Sequence, residues 1–477
     1  MKATTKIGYG VGQLADGVKQ GAFVTFLFFY YNQVLGLSGS LAGTASLLAL
    51  MIDAITDPMV GQISDNWRSR WGRRHPFMVA GSVPFCIAVV MLFNPPDGLG
   101  QTGLFWWLLG GAVSVRLMLT LFFVPHLSLG SEMVRDYHDR TSLIGYRVFF
   151  SYLGSLVVSV VGFAVFFPPT ESFSNGMLNP ANYGGFGLFV GLLGTGAMLW
   201  CIVSTFHVIP SLKPPAEQRN TRNPLFAVVD VFTSLREKAF RVLFFGTLMF
   251  NVLAGVSLTL LVYVATYVFG FDSKQLALLA TSPLVGIMLA STIAQTLSRK
   301  FDKRLASGLC SLMGAILSST PMLLFLAGSL DNMEVQDRLW LVYLFNGAAQ
   351  GFFIAFVILL DSMLSDTADE HEVNTGRREE GLFFAARSFA TKASYGLGSF
   401  FAGIALDIIA FPRGVAPADV ATDSITRLAI VAGPLLTLLF VFVLVIIRRY
   451  PLDAARYQEI EIALQRSTAV NGSTASD

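Results

Sequence analysis

Two carboxylates, Asp53 and Asp57, stand four residues apart inside an otherwise apolar stretch, with Thr56 between them. On a helix that spacing puts both acids on one face. A charged side chain at membrane depth costs on the order of 3 kcal/mol unless it is paired or solvated. Two carboxylates and a hydroxyl offer the hard oxygen ligands that suit a metal cation such as Na+. A protonatable pair would equally suit H+. Asp53, Thr56 and Asp57 are therefore candidate ligands for a coupling cation, and the plainer alternative is that they only bond to neighbouring helices. Pro58 follows Asp57 directly. It is expected to disturb the helix there and to release a carbonyl.

Other ionisable groups sit in equally apolar surroundings. Asp16 lies inside the first apolar run, among Gly8, Gly10, Gly12, Gly17 and Gly21. These glycines are not a nucleotide loop, since no strand-helix-strand unit accompanies them. They suit close packing of membrane helices, and Asp16 either faces a cavity or tethers a neighbouring helix. Arg116 is placed to join a structural ion pair or to meet an anionic substrate. Arg147 is placed to gate a cavity or to hold a carboxylate. Lys392 has no acid near it on its own helix and calls for a partner across the bundle, a cavity water or a substrate anion.

The elements that must carry these groups are membrane helices. Of 477 residues, 53% are hydrophobic and only 13% charged, about half the charge of a soluble protein. The apolar residues come in runs of roughly 20, enough to cross about 30 Å of hydrocarbon as a helix. A barrel would instead show short alternating strands. About twelve spans are expected: 7–35, 40–64, 76–94, 103–130, 142–167, 184–209, 240–269, 274–298, 305–328, 338–361, 381–410 and 425–447.

Arginine and lysine collect after the even-numbered spans. Arg68, Arg70, Arg73 and Arg74 follow span two, Arg299, Lys300, Lys303 and Arg304 span eight, Arg377 and Arg378 span ten, and Arg448 and Arg449 span twelve. The opposite loops hold only Lys274, Arg338, Arg413 and Arg427. Basic loops mark the cytoplasmic side, so both termini are expected there, in a multi-pass protein of the plasma (inner) membrane. The basic loop after span two recurs after span eight, and an acidic-basic loop follows both span four and span ten. Two six-span halves, 1–210 and 240–450, are therefore expected, joined by a polar linker at 211–239 and followed by a cytoplasmic tail at 451–477. A short surface helix is expected around 224–237.

Within the basic loops, Asp65 with Arg73 and Arg74 is expected to form salt bridges that lock one end of the half-bundle. Arg377 and Glu380 would do the same in the second half. The three cysteines, Cys86, Cys201 and Cys310, are unclustered and suggest neither disulfides nor a metal site. The five histidines are scattered without a zinc spacing, which argues against an intramembrane enzyme. The two-half repeat argues against a channel. No cofactor is expected beyond the coupling ion. The expected partners are a small solute and the bilayer, with no nucleic acid, and the expected state is a monomer.

Several stretches together resemble the glycoside-pentoside-hexuronide cation symporters of the major facilitator superfamily. They are Tyr9-Gly10-Val11-Gly12, Asp53 to Pro58, Arg68 to Arg73, Val124-Pro125-His126, Asp139-Arg140-Thr141 with Tyr146-Arg147, and Thr375 to Arg378. The resemblance covers nearly the whole chain. It implies the all-α major-facilitator fold and cation-coupled symport by alternating access. It also implies that Asp53, Asp57 and Thr56 match the family's Na+ site, with Thr120 as its helix-four hydroxyl. Arg147 matches a substrate-side arginine and Lys392 a helix-eleven lysine near both sites, while Asp16 falls one place from the family's sugar-binding acid. One departure stands out. Melibiose-carrying members have an acid three residues after the helix-four threonine and a tryptophan beyond it, where this chain has Phe123 and Leu127. The departure favours an amphiphile such as a lysophospholipid, its anionic head near Arg116, Arg147 or Lys392. The alternative substrate is a sugar or glycoside.

Overall fold

The computed structural model describes residues 2–134, 136–171, 173, 175–211, 235, 237–375 and 380–473. They form helices joined by short turns, and no strand occurs among them. Ten of the described helices are long and apolar enough to cross a membrane. Two further helical stretches stand where the sequence places spans one and eleven: a segmented one over 3–34, and Glu380–Ile408. The protein is a multi-pass, all-α membrane protein. The surface helix expected around 224–237 falls largely outside the described residues.

Span one is not one regular helix. Ala3–Val11 ends in a tight turn at Gly12 and Gln13, whose N–H groups return to the carbonyls of Tyr9 and Gly10. Leu14–Gly21 then runs into two wider π-helical stretches, Ala22–Leu27 and Tyr30–Val34. Such wide turns inside membrane helices often mark functional positions. Span two, Gly39–Asn66, runs unbroken through Pro58, contrary to the disturbance expected there. Span ten, Val335–Thr375, continues well past the expected end at residue 361.

The chain forms two compact units. The first gathers Met1–Arg222 with Leu258–Thr281 and Ser399–Leu428. Its core is aromatic: Phe26 packs on Phe186 at 4.5 Å and on Phe163 at 4.8 Å, and Tyr30 stacks on Tyr183 at 3.9 Å. The second unit gathers Asn223–Ser257, Ser282–Gly398 and Ala429–Asp477, with Phe250 packed on Phe356 at 4.1 Å and on Phe440 at 6.0 Å. Helices in lipid gain little from the hydrophobic effect and associate through such contacts and through small residues.

Glycine sets how closely two pairs of spans approach in the first unit. A Cβ on Gly17 would lie 1.9 Å from the carbonyl oxygen of Ser151, so spans one and five cross backbone to backbone. A Cβ on Gly403 would lie 1.9 Å from the Gly39 oxygen, where span eleven crosses the start of span two. Backbone cannot yield as a flexible side chain can, and overpacking of this kind costs on the order of 1–3 kcal/mol or more. Gly17→Ala should therefore lower the melting temperature of purified protein and broaden its size-exclusion peak. Gly196→Ala, where a Cβ meets open space, is the control and should leave both unchanged. Equal behaviour of the two variants would refute the close crossing.

Candidate cation and substrate site

Asp53 and Asp57 project from span two toward span four, Gln101–Met133, which brings Thr120 between them. The Thr120 hydroxyl is 2.8 Å from Asp57 Oδ1 and 3.1 Å from Asp53 Oδ1. One hydroxyl has one proton, so it can donate fully to only one of these oxygens at a time. Three hard oxygens therefore converge on a point between two helices, two of them on carboxylates. Thr56 does not join them: its hydroxyl donates to the Asp53 carbonyl one turn back, at 3.2 Å.

Arg116 lies one turn from Thr120 on span four. Its guanidinium is 3.5 Å from Asp53 Oδ2, and its Cζ stands 5.6 Å from the centre of the Phe23 ring. The Nε of Arg116 is buried without a hydrogen-bond partner. The carboxylates that act on Arg116 electrostatically are Asp53, then Asp16, then Asp57. The arginine thus stands between the span-two acids and the first span.

On the first span a polar chain runs through the tight turn. Lys19 Nζ is 3.0 Å from Asp16 Oδ1, Gln13 donates to Asp16 Oδ2 at 3.4 Å, and Arg147 Nε donates to Gln13 Oε1 at 3.2 Å. Lys19 and Asp16 are only 8% and 20% exposed, so the pair sits within the bundle rather than at its rim. Gln13 and Lys19 do not stand out in the sequence. The signal available was the glycine-dense turn that points them inward. Phe123 faces His126 at 6.4 Å, and His126 stacks between Phe122 and Tyr9. Arg377 and the side chains of Glu380 and Lys392 lie outside the described residues.

At the arginine-rich end, Asp65, Arg73 and Arg74 meet through a residue the sequence did not single out. Glu132, at the end of span four, accepts from Arg74 at 2.8 and 3.0 Å and lies 2.9 Å from Arg73. Arg74 also reaches Asp65 at 2.5 Å and Ser64 at 2.8 Å. Arg74 is 4% exposed while Asp65 is 56% exposed, so Glu132 and not Asp65 is the buried anion of the cluster. The second unit holds a counterpart, with Lys303 at 2.7 Å from Asp366, and Arg387 pairs with Asp361.

The opposite end of the first unit is tied by groups from distant parts of the sequence. Asp407 of span eleven accepts from the N–H groups of Gly39 and Ser40 at 3.0 and 2.7 Å, and Arg413 holds the same carboxylate at 3.2 Å. Tyr263 donates to Asn32 at 2.7 Å and Tyr267 to Gln33 at 3.0 Å.

This chain is similar over its length to characterised and inferred carriers. A family model described as MFS/sugar transport protein matches residues 8–454. A putative glycoside/cation symporter of Escherichia coli is 26% identical, covering 99% of this chain and 97% of its own length. The isoprimeverose transporter of Lactiplantibacillus pentosus is 23% identical, covering 84% of this chain and 79% of its own. Among solved structures, the inward-open xylose transporter XylE from E. coli superposes with a TM-score of 0.59 at 16% identity, over 96% of this chain and 98% of that one, a likeness of fold. The protein is a transporter and not an enzyme, and it belongs to the glycoside-pentoside-hexuronide cation symporter family of the major facilitator superfamily.

Proposed function

We propose that this chain couples the entry of Na+ to the uptake of a sugar or glycoside by alternating access, in the inner membrane with both termini cytoplasmic. The expected halves 1–210 and 240–450 are the bodies that alternating access would move. The observation that carries the reading is the oxygen cluster of Asp53, Asp57 and Thr120, in which a single hydroxyl faces two carboxylates. A small hard cation seated among these oxygens would relieve their mutual repulsion, and its presence would change the charge that the rest of the bundle must balance.

The polar chain Lys19, Asp16, Gln13 and Arg147 offers donors and acceptors in alternation, which is what vicinal sugar hydroxyls require. The names of the relatives point toward glycosides rather than toward the lysophospholipid that Phe123 suggested in the sequence.

The test is a ligand screen on detergent-purified protein. Isoprimeverose, lactose and a methyl glucuronide are compared with lysophosphatidylcholine, each with and without Na+. A glycoside should raise the melting temperature, and more so with Na+ present. Stabilisation by the lysophospholipid alone would overturn the glycoside assignment and restore the amphiphile.

A further inference from the structure

Arg116 is a buried cation that touches Asp53 of the proposed cation site, and neither the family match nor the site reading gives it a role there. Its guanidinium meets Asp53 on Oδ2, while Oδ1 of the same carboxylate faces Thr120. The two oxygens of Asp53 are thus divided between a resident positive charge and the place where a cation would sit.

The contact is also loose. A charge-assisted hydrogen bond between guanidinium and carboxylate closes to about 2.7–2.9 Å. Here the separation is 3.5 Å, Nε has no partner, and the other neighbours are the face of Phe23 at 5.6 Å and the more distant charges of Asp16 and Asp57. Arg116 is therefore held at Asp53 by charge attraction rather than by a closed hydrogen bond.

We propose that Arg116 is a built-in counter-charge for Asp53 that the coupling cation must displace, so that it sets cation affinity and lets the ion-free carrier change conformation. This rests on the cation site proposed above. Two like charges on one carboxylate repel, so the arginine weakens cation binding. With the cation gone, it closes on Asp53 and spares the bundle an uncompensated acid while the carrier returns empty. The role is one of positioning and charge balance rather than ligation.

Reconstituted wild-type protein, Arg116→Gln, Arg116→Lys and Asp57→Asn are compared for Na+ dependence of uptake and for substrate counterflow. Arg116→Gln should lower the half-saturating Na+ concentration about tenfold, since a unit charge within a few ångströms in a screened interior is worth at least that. Net uptake, which needs the empty carrier to return, should fall in this variant, while counterflow, which does not, stays near the wild-type rate. Arg116→Lys keeps the charge at shorter reach and should fall between. It also carries the test if the glutamine variant does not fold. Half-saturating Na+ that is unchanged or raised in these variants overturns the proposal. If Asp57→Asn keeps its full Na+ response, the cation site itself is misplaced. If Asp57→Asn loses the response while Arg116→Gln matches wild type, only the counter-charge role fails.

Discussion

Asp57→Asn should abolish Na+-driven accumulation of substrate, with at least about a hundredfold loss of Na+ affinity, equivalent to roughly 2.7 kcal/mol. The amide keeps the size of the side chain and one oxygen but removes the charge that a hard cation needs. Thr120 would then donate mainly to Asp53, since a neutral amide oxygen accepts more weakly than the carboxylate it replaces at 2.8 Å. Substrate exchange down a gradient should survive better than uphill transport, because Gln13, Asp16 and Arg147 lie on other helices and are untouched. Asp53→Asn should be the harsher change. It removes a cation ligand and also leaves Arg116 without the carboxylate at 3.5 Å. A buried charge stripped of its partner costs about 3–5 kcal/mol, so this variant should lose thermal stability as well as coupling. Thr120→Val should fall between wild type and Asp57→Asn, losing one neutral ligand but no charge. Reconstituted vesicles with an imposed Na+ gradient provide the measurement. Uphill accumulation by Asp57→Asn would sink the cation assignment.

The contrast between Asp53 and Thr120 shows what the sequence can and cannot disclose. A carboxylate in an apolar run is a strong signal because lipid makes it expensive. A threonine in such a run is a weak one, because its hydroxyl is usually spent on its own helix, as that of Thr56 is on the Asp53 carbonyl. Thr120 was therefore legible only through resemblance, and Thr56, which the spacing favoured, is occupied elsewhere. The spans themselves were legible to within a few residues wherever hydrocarbon ends them. Span ten is the exception: Asp366 to Glu372 read as loop, yet the helix continues through them to Thr375. Nothing about the end of the bilayer ends a helix, and these residues find Lys303, Tyr450 and Glu237 as neighbours across the second unit. Glu132 and Asp407 were missed for a different reason. Both lie at helix ends, where an acid is ordinary, and what distinguishes them is the partner brought from far along the chain. Arg413, which the charge count treats as a stray, is likewise explained by its place on Asp407.

Asp407→Ala should shift the carrier away from the arrangement seen here, and its effect should appear in conformation before it appears in binding. The carboxylate takes both N–H groups at the start of span two, Gly39 and Ser40, which lack partners within their own helix. It is held in turn by Arg413, which also donates to the Gly36 carbonyl at 3.3 Å. Hydrogen bonds to a charged group are worth about 1.5–3 kcal/mol, so losing this tie should change the balance between conformers by roughly tenfold or more. The glycine crossing of Gly39 and Gly403 lies beside it, and that backbone contact can only form while the two helix ends stay together. A cysteine placed at Gly36 meets open space but carries backbone strain at its φ of 75°, and with the same cysteine in every variant compared it reports on this end. In detergent-purified protein its labelling by a charged maleimide should speed up severalfold when Asp407 is alanine. Asp407→Asn retains shape and can still accept from the backbone, so it should lie between alanine and wild type. Glycoside-induced stabilisation should persist in both variants, because the tie touches none of the residues assigned to substrate. A labelling rate that ignores Asp407 would mean that the helix ends stay closed through the glycine crossing and the Tyr263 and Tyr267 contacts alone, and that the carboxylate serves only to cap span two.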